Sequence, residues 1–145
     1  MKQTTRYFMA ALLAMNIFLL ASVLWRPAPA VGRETLAGKA FSSGARFTVS
    51  IGLNDKDARR QLLTATEAKA RLNGIAAGHV GGFTVHHAEG YWTDASGAAA
   101  SEETLVYTFL ETTDAQMAAM AAQMKAALNQ ESILVEKNGV SYVFF

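Results

Sequence analysis

Arg46-Phe-Thr-Val-Ser-Ile-Gly-Leu53 alternates without a fault: Phe47, Val49, Ile51 and Leu53 fall on one side, and Arg46, Thr48, Ser50 and Gly52 on the other. Successive side chains of an extended chain point to opposite faces. This stretch is therefore a strand with one face against a core and the other toward water. What covers its apolar side is decided by the segments around it.

Downstream, Asn54 to Arg60 is a charged loop, and Thr64-Ala-Thr-Glu67 has the spacing of a capping box, in which side chains satisfy the free amides of a helix start. The spacing predicts a helix over 65–77 with Ala68, Leu72, Ile75 and Ala76 on one side. Gly74 weakens it by about 1 kcal/mol relative to alanine. Gly78, Gly81 and Gly82 end it. Gly82 to Ala88 then reads as a second strand, with Phe83, Val85 and His87 alternating against Thr84, His86 and Ala88. Glu89-Gly90 marks a bulge or kink, and Tyr91-Trp92 continue the extended run.

After turn residues between Asp94 and Gly97, Thr104 to Glu111 is a strand apolar on both faces and so belongs at the centre of a sheet. Thr113-Asp-Ala-Gln116 repeats the capping spacing and opens a helix to Asn129, with Met117, Met120, Ala121, Met124 and Leu128 on one stripe. Ser132–Glu136 and Val140–Phe145 are expected as two strands around Lys137-Asn138-Gly139, because Asn-Gly favours a two-residue hairpin turn. The predicted order is β-α-β-β-α-β-β. That is an α+β fold on the split β-α-β, ferredoxin-like plan, an antiparallel sheet with two helices on one face.

Upstream, the run from Tyr7 to Trp25 is apolar except for Asn16 and Ser22, and Ala28-Pro29-Ala30 supplies small residues of the kind a signal peptidase accepts. Residues 1–30 are expected to be a hydrophobic helix acting as a signal peptide or a retained membrane anchor, 31–45 a linker, and 46–145 the α+β domain. Lys2, Arg6 and Arg26 give residues 1–30 three positive charges. The remaining 10 basic and 12 acidic residues leave the rest of the chain at −2, although the whole is +1. Nucleic acid is an unsuitable partner for so mildly acidic a domain. The chain has no cysteine, which excludes disulfides and a lipid-modified cysteine. With an apolar content of 51% and a charged content of 17%, it is no disordered tail.

The chemistry-bearing residues are few. His86-His87 with Glu89 is the one cluster suited to metal binding or proton transfer near neutrality, with His79 nearby in sequence. Adjacent strand residues face opposite ways, so His87 and Glu89 form the candidate metal pair unless the strand is bulged. Met117, Met120 and Met124 match either soft copper ligands or a helix core stripe, and the absence of cysteine or histidine in that segment favours the core. The glycines after the first helix precede a strand, the reverse of a phosphate-binding loop, and no serine sits in a Gly-x-Ser-x-Gly context. No catalytic residue and no cofactor is assigned. Trp92 beside Tyr91 forms either a stacking surface or a core wall, and Gln130-Glu131-Ser132 either caps a helix or surrounds a ligand.

Gly82-Phe-Thr-Val85, Gly90-Tyr-Trp-Thr-Asp94 with Gly97, and Gln130-Glu-Ser-Ile-Leu-Val135 together resemble a family of small exported bacterial proteins catalogued as a domain of unknown function. The resemblance implies export and the α+β plan. It marks Trp92, Asp94, Gln130, Glu131 and Ser132 as candidate ligand-binding residues without lending a catalytic one. The first helix lacks the tryptophan and the proline-rich exit associated with that family.

The sequence thus predicts an exported or membrane-anchored, non-catalytic binding module. It would engage a partner, or a second copy as a homodimer, through the open sheet face or an edge strand, and the membrane through residues 7–25 if these are kept. A small periplasmic enzyme or metal-binding protein using His86 or His87, Glu89 and Trp92 is one alternative. An accessory subunit of a membrane complex is the other.

Overall fold

The structure is a computed structural model that describes residues 34–93 and 96–145. The apolar run expected as an N-terminal helix lies outside the described residues. So does Asp94. Among the described residues no helix is long and apolar enough to cross a membrane. Thr35–Phe145 form one compact unit.

Its elements, in order, are β1 (Thr35–Leu36), β2 (Lys39–Ala40), β3 (Ser42–Gly52), β4 (Asn54–Asp55), β5 (Arg60–Gln61), α1 (Ala65–His79), β6 (Thr84–Thr93), β7 (Ala99–Leu110), α2 (Asp114–Ala127) and β8 (Leu134–Tyr142). Four strands make the main sheet in the order β6-β7-β3-β8, every neighbouring pair antiparallel. The chain therefore runs β3-α1-β6-β7-α2-β8 with its first and third long strands at the centre, the split β-α-β arrangement expected from the sequence.

The alternation of β3 settles which face is covered. Phe47, Val49, Ile51 and Leu53 are buried, as are Leu105, Tyr107 and Phe109 on β7. Ala68, Leu72 and Ala76 of α1 and Met117, Met120 and Met124 of α2 close over that face in one cluster. The methionines are core, since Met120 and Met124 are fully buried. Tyr107 stacks on Phe109 with centroids 5.9 Å apart. Its hydroxyl donates to Asn73 Oδ1 at 2.8 Å, and burial pushes the phenol up to about 12, so it stays protonated and holds that bond.

Both capping boxes form. Thr64 exchanges bonds with Glu67, and Thr113 with Gln116. α1 runs through Gly74 and Gly78 to His79, two residues beyond the predicted end, because its buried stripe outweighs the glycine penalty.

Three local expectations are corrected. The hairpin predicted at Asn138-Gly139 does not form, and β8 runs straight through it, with Asn138 opposite Arg46 and Gly139 opposite Ala45. The reason lies in β3, which starts at Ser42 and so supplies partners for the whole of β8. Residues 35–45, expected within a linker, carry the β1-β2 hairpin and the first residues of β3. Ala37 and Gly38, both at positive φ, turn that hairpin. There is also no bulge at Glu89-Gly90, because the β6–β7 register runs unbroken through Glu89↔Glu103 and Gly90↔Glu102. Gly90 is small for another reason: a Cβ there would sit 2.8 Å from Thr104 Oγ1.

Candidate functional site

At one end of the sheet, Trp92 of β6 and Ala100, Ser101 and Glu102 of β7 face the β4-β5 hairpin and the connection from α2 to β8. Between them lies a cleft of about 640 Å³, with Asn54, Asp55, Lys56 and Arg59 on one wall and Gln130, Glu131 and Ser132 on another. Trp92, Gln130, Glu131 and Ser132, singled out in the sequence as far apart as β6 and the last loop, thus line one concavity.

The connection from α2 owes its course to a helix stop that the sequence hides. Asn129 takes a left-handed φ of 49°, its amide donates to Ala126 O at 3.2 Å, and the Gln130 amide donates to Lys125 O at 3.0 Å. This is the paired-bond stop that glycine usually makes, and asparagine tolerates the conformation. The Asn129 side chain is left to reach across. Its Nδ2 donates to Asp55 Oδ2 at 3.0 Å and to Asp57 Oδ2 at 2.8 Å, while the backbone carbonyl of Asn129 accepts from the Lys56 amide at 3.1 Å.

Asp55 is the other half of this clamp. Its Oδ1 accepts from the amides of Asp57 at 2.9 Å and Ala58 at 2.8 Å. The Ala58 amide first, and then the Asn129 side chain, hold its carboxyl below the usual range. Buried Gln130 donates from Nε2 to Asn54 O at 2.7 Å and to Leu128 O at 3.4 Å. Its donors are used inside the fold, so its carbonyl oxygen is what it can offer a ligand. The helix stop is shared by Asn129 and Gln130, whose amide and Nε2 both bond carbonyls at the end of α2.

Glu102 reaches from β7 across Gly52, where any Cβ would collide with its carboxylate, and accepts from the Asn54 amide at 3.0 Å. Asp55 and Glu102 are thus braces. Lys56, Arg59, Glu131 and Ser132 are exposed, and Trp92 is 44% exposed, so the indole is a surface and not a core wall. The cleft presents a flat apolar ring, cations on one side and a carboxylate on the other.

Glu102, Lys56, Arg59 and the Asn129 clamp were not recognised in the sequence as site residues. In the sequence, residues 54–60 read only as a charged loop. The available signal was the Asp-x-Asp pattern with asparagine after a helix, whose short polar side chains bond nearby amides.

The candidate metal pair sits elsewhere. His86 pairs with Val106 and His87 with Leu105, so the two histidines face opposite ways, as adjacency on a strand requires. His87 shares its face with Glu89 and lies 3.5 Å from Glu103. Among the described residues no group of three or more histidine, aspartate and glutamate side chains is placed to hold a metal ion.

No family model matches this chain, and no curated protein does. Solved structures do resemble it. A phage SAM lyase in complex with S-methyl-5′-thioadenosine aligns with a TM-score of 0.52 and 17% identity, covering 76% of this chain and 97% of its own. A DUF3240 family protein from Shewanella baltica aligns at 0.43 and 12% identity, over 64% of this chain and 86% of its own. CutA from Synechococcus elongatus aligns at 0.44 and 16% identity, over 71% and 80%. At such identities the likeness to the lyase is one of fold, and the α+β plan is what it supports.

Proposed function

We propose that this domain is a non-catalytic binding module and that the cleft between Trp92, the β4-β5 hairpin and the Gln130–Ser132 connection is its ligand site. One observation carries the reading: Trp92 of β6, Lys56 and Arg59 of the β4-β5 hairpin and Glu131 of the last connection line one concave surface, with an exposed indole and unbraced charges of both signs. Convergent polar groups around an apolar surface are the usual mark of a binding cleft. The ligand that fits is a small molecule with a flat apolar part for Trp92, an anionic group for Lys56 and Arg59, and a donor for Glu131 or the Gln130 carbonyl. Asp55 and Glu102 are occupied in holding the walls, which supports binding over acid-base chemistry. The apolar run Tyr7 to Trp25 extends the proposal to export or membrane anchoring, and mass spectrometry of the mature amino terminus tests that part.

The binding reading is tested by fluorescence in a Trp25→Phe background, where Trp92 is the remaining indole. The probes are aromatic amino acids, adenosine monophosphate and S-methyl-5′-thioadenosine, the last because the lyase of similar fold is recorded with it. Saturable quenching that weakens in Arg59→Ala and in Glu131→Ala is expected. Quenching unchanged by Arg59→Ala and Glu131→Ala, or no saturable response to any probe, overturns it.

A further inference from the structure

We propose that β6 is a self-pairing strand, joining two copies of this chain edge to edge about a two-fold axis at Ala88, with His87 of each copy opposite Glu89 of the other. This goes beyond the cleft and does not rest on it.

β6 is an outer strand. It pairs with β7 on one side, and on its other side no strand is present among the described residues. It is long, regular and free of proline and bulges, so it presents a row of backbone donors and acceptors to whatever lies alongside. A two-fold axis perpendicular to the sheet keeps each face on its own side. Residues on one face of one copy then meet residues on the same face of the other.

Centring that axis on Ala88 sets His87 against Glu89 twice. The same register sets Val85 against Tyr91, Thr84 against Trp92, and His86 against Gly90, whose missing side chain leaves room for the imidazole. The adjacent registers are worse. Centring on Glu89 opposes two glutamates, whose like charges destabilise a strand pair, and centring on His87 sets the Glu89 carboxylate against apolar Val85.

The intrachain electrostatics point the same way. Glu89 lies directly opposite Glu103 on β7, and His87 at 3.5 Å answers Glu103. Glu89 is left with the Tyr91 hydroxyl, and that bond raises the phenol above its ordinary range. A second copy would bring its own His87 to Glu89. The other groups bordering this region are Asn54, Gln61 and Glu102, with Lys69 and Thr66 of α1 beside His87.

The opposite edge has no such complement. On β8 the charged residues Glu136 and Lys137 point to different faces, so no two-fold pairing brings them together. Lys137 is also taken by Asp114, at 2.6 and 2.8 Å.

Because the chain has no cysteine, single cysteines report the pairing without background. Across an antiparallel pair the Ala88 Cα atoms would lie about 4.5 to 5.5 Å apart, within the range of roughly 4.4 to 6.8 Å that a disulfide spans. His86 of one copy would lie about 14 Å from His86 of the other, from four strand steps of about 3.3 Å each along the strand and about 5 Å across it. The full chain in mild detergent, under gentle oxidation, is expected to give crosslinked dimer from Ala88→Cys but not from His86→Cys or Val140→Cys. Adding His87→Glu to Ala88→Cys should cut the crosslinking rate about tenfold, and adding Glu89→Lys to that variant should restore it. Circular dichroism confirms that each variant is folded. Equal crosslinking from His86→Cys or Val140→Cys, folded Ala88→Cys that stays monomeric, or failure of Glu89→Lys to rescue overturns the proposal.

Discussion

The two faces of β3 and β7 are made from the same strands and do different things. On the covered face, Val49, Ile51, Tyr107 and Phe109 are fully buried against two helices. On the other, Thr48, Ser50, Val106, Thr108 and Leu110 are half-buried under no layer of the described chain. The covered face holds the fold. The open face and the strand ends carry the features that can meet another molecule. The clamp at Asp55 and Asn129 lies where these roles join, since it fixes a wall of the cleft with bonds that also tie the β4-β5 hairpin to the end of α2.

The largest effect that separates the faces is expected from Ile51→Ala, which removes a fully buried side chain and should cost about 2 to 5 kcal/mol in urea unfolding. A loss under about 1 kcal/mol would mean that the core reorganises around the gap and that the faces are less distinct than described. Next is Asn129→Ala, which takes both side-chain bonds from Asp55 and Asp57 and is expected to cost about 1 to 3 kcal/mol. Its hydrogen exchange should rise in residues 55–60 while β3 and β7 stay protected. Uniform loss of protection would show that the clamp serves the whole fold and not one wall of the cleft.

Acid sharpens the same division. The Asp55 carboxyl titrates lower in the folded chain than in the unfolded one, so its stabilisation is complete above the unfolded value and is lost as pH falls through the folded value. Exchange in residues 55–60 should therefore rise below about pH 4, under the ordinary carboxylate range. In Asn129→Ala that rise should begin at higher pH. Thr113→Ala, which removes one capping box, should cost about 1 kcal/mol. The smallest effect is expected on the open face, where Val106→Thr should change unfolding by no more than about 0.5 kcal/mol. A larger loss would mean that this face is covered in solution.

The helices were legible because their signals are local. Thr64 with Glu67 and Thr113 with Gln116 act within four residues, and the Met117, Met120 and Met124 stripe needs only helical spacing to be read as core. The cleft was half legible. Trp92, Gln130, Glu131 and Ser132 were found by residue type and resemblance, but Lys56, Arg59 and Glu102 become neighbours of Trp92 only through the sheet and the Asn129 clamp.

The α+β plan, the buried face of β3, both helix starts and the opposite directions of His86 and His87 can all be read from the chain alone, because each follows from its period or from bonds between near neighbours. Tertiary structure alone decided that Asn138-Gly139 runs straight, that Ser42–Ala45 is strand, and that Gly52 and Gly90 make room for Glu102 and Thr104. A turn-forming dipeptide bends only when no partner strand lies beside it, and the residues that hold β8 extended stand far away on β3.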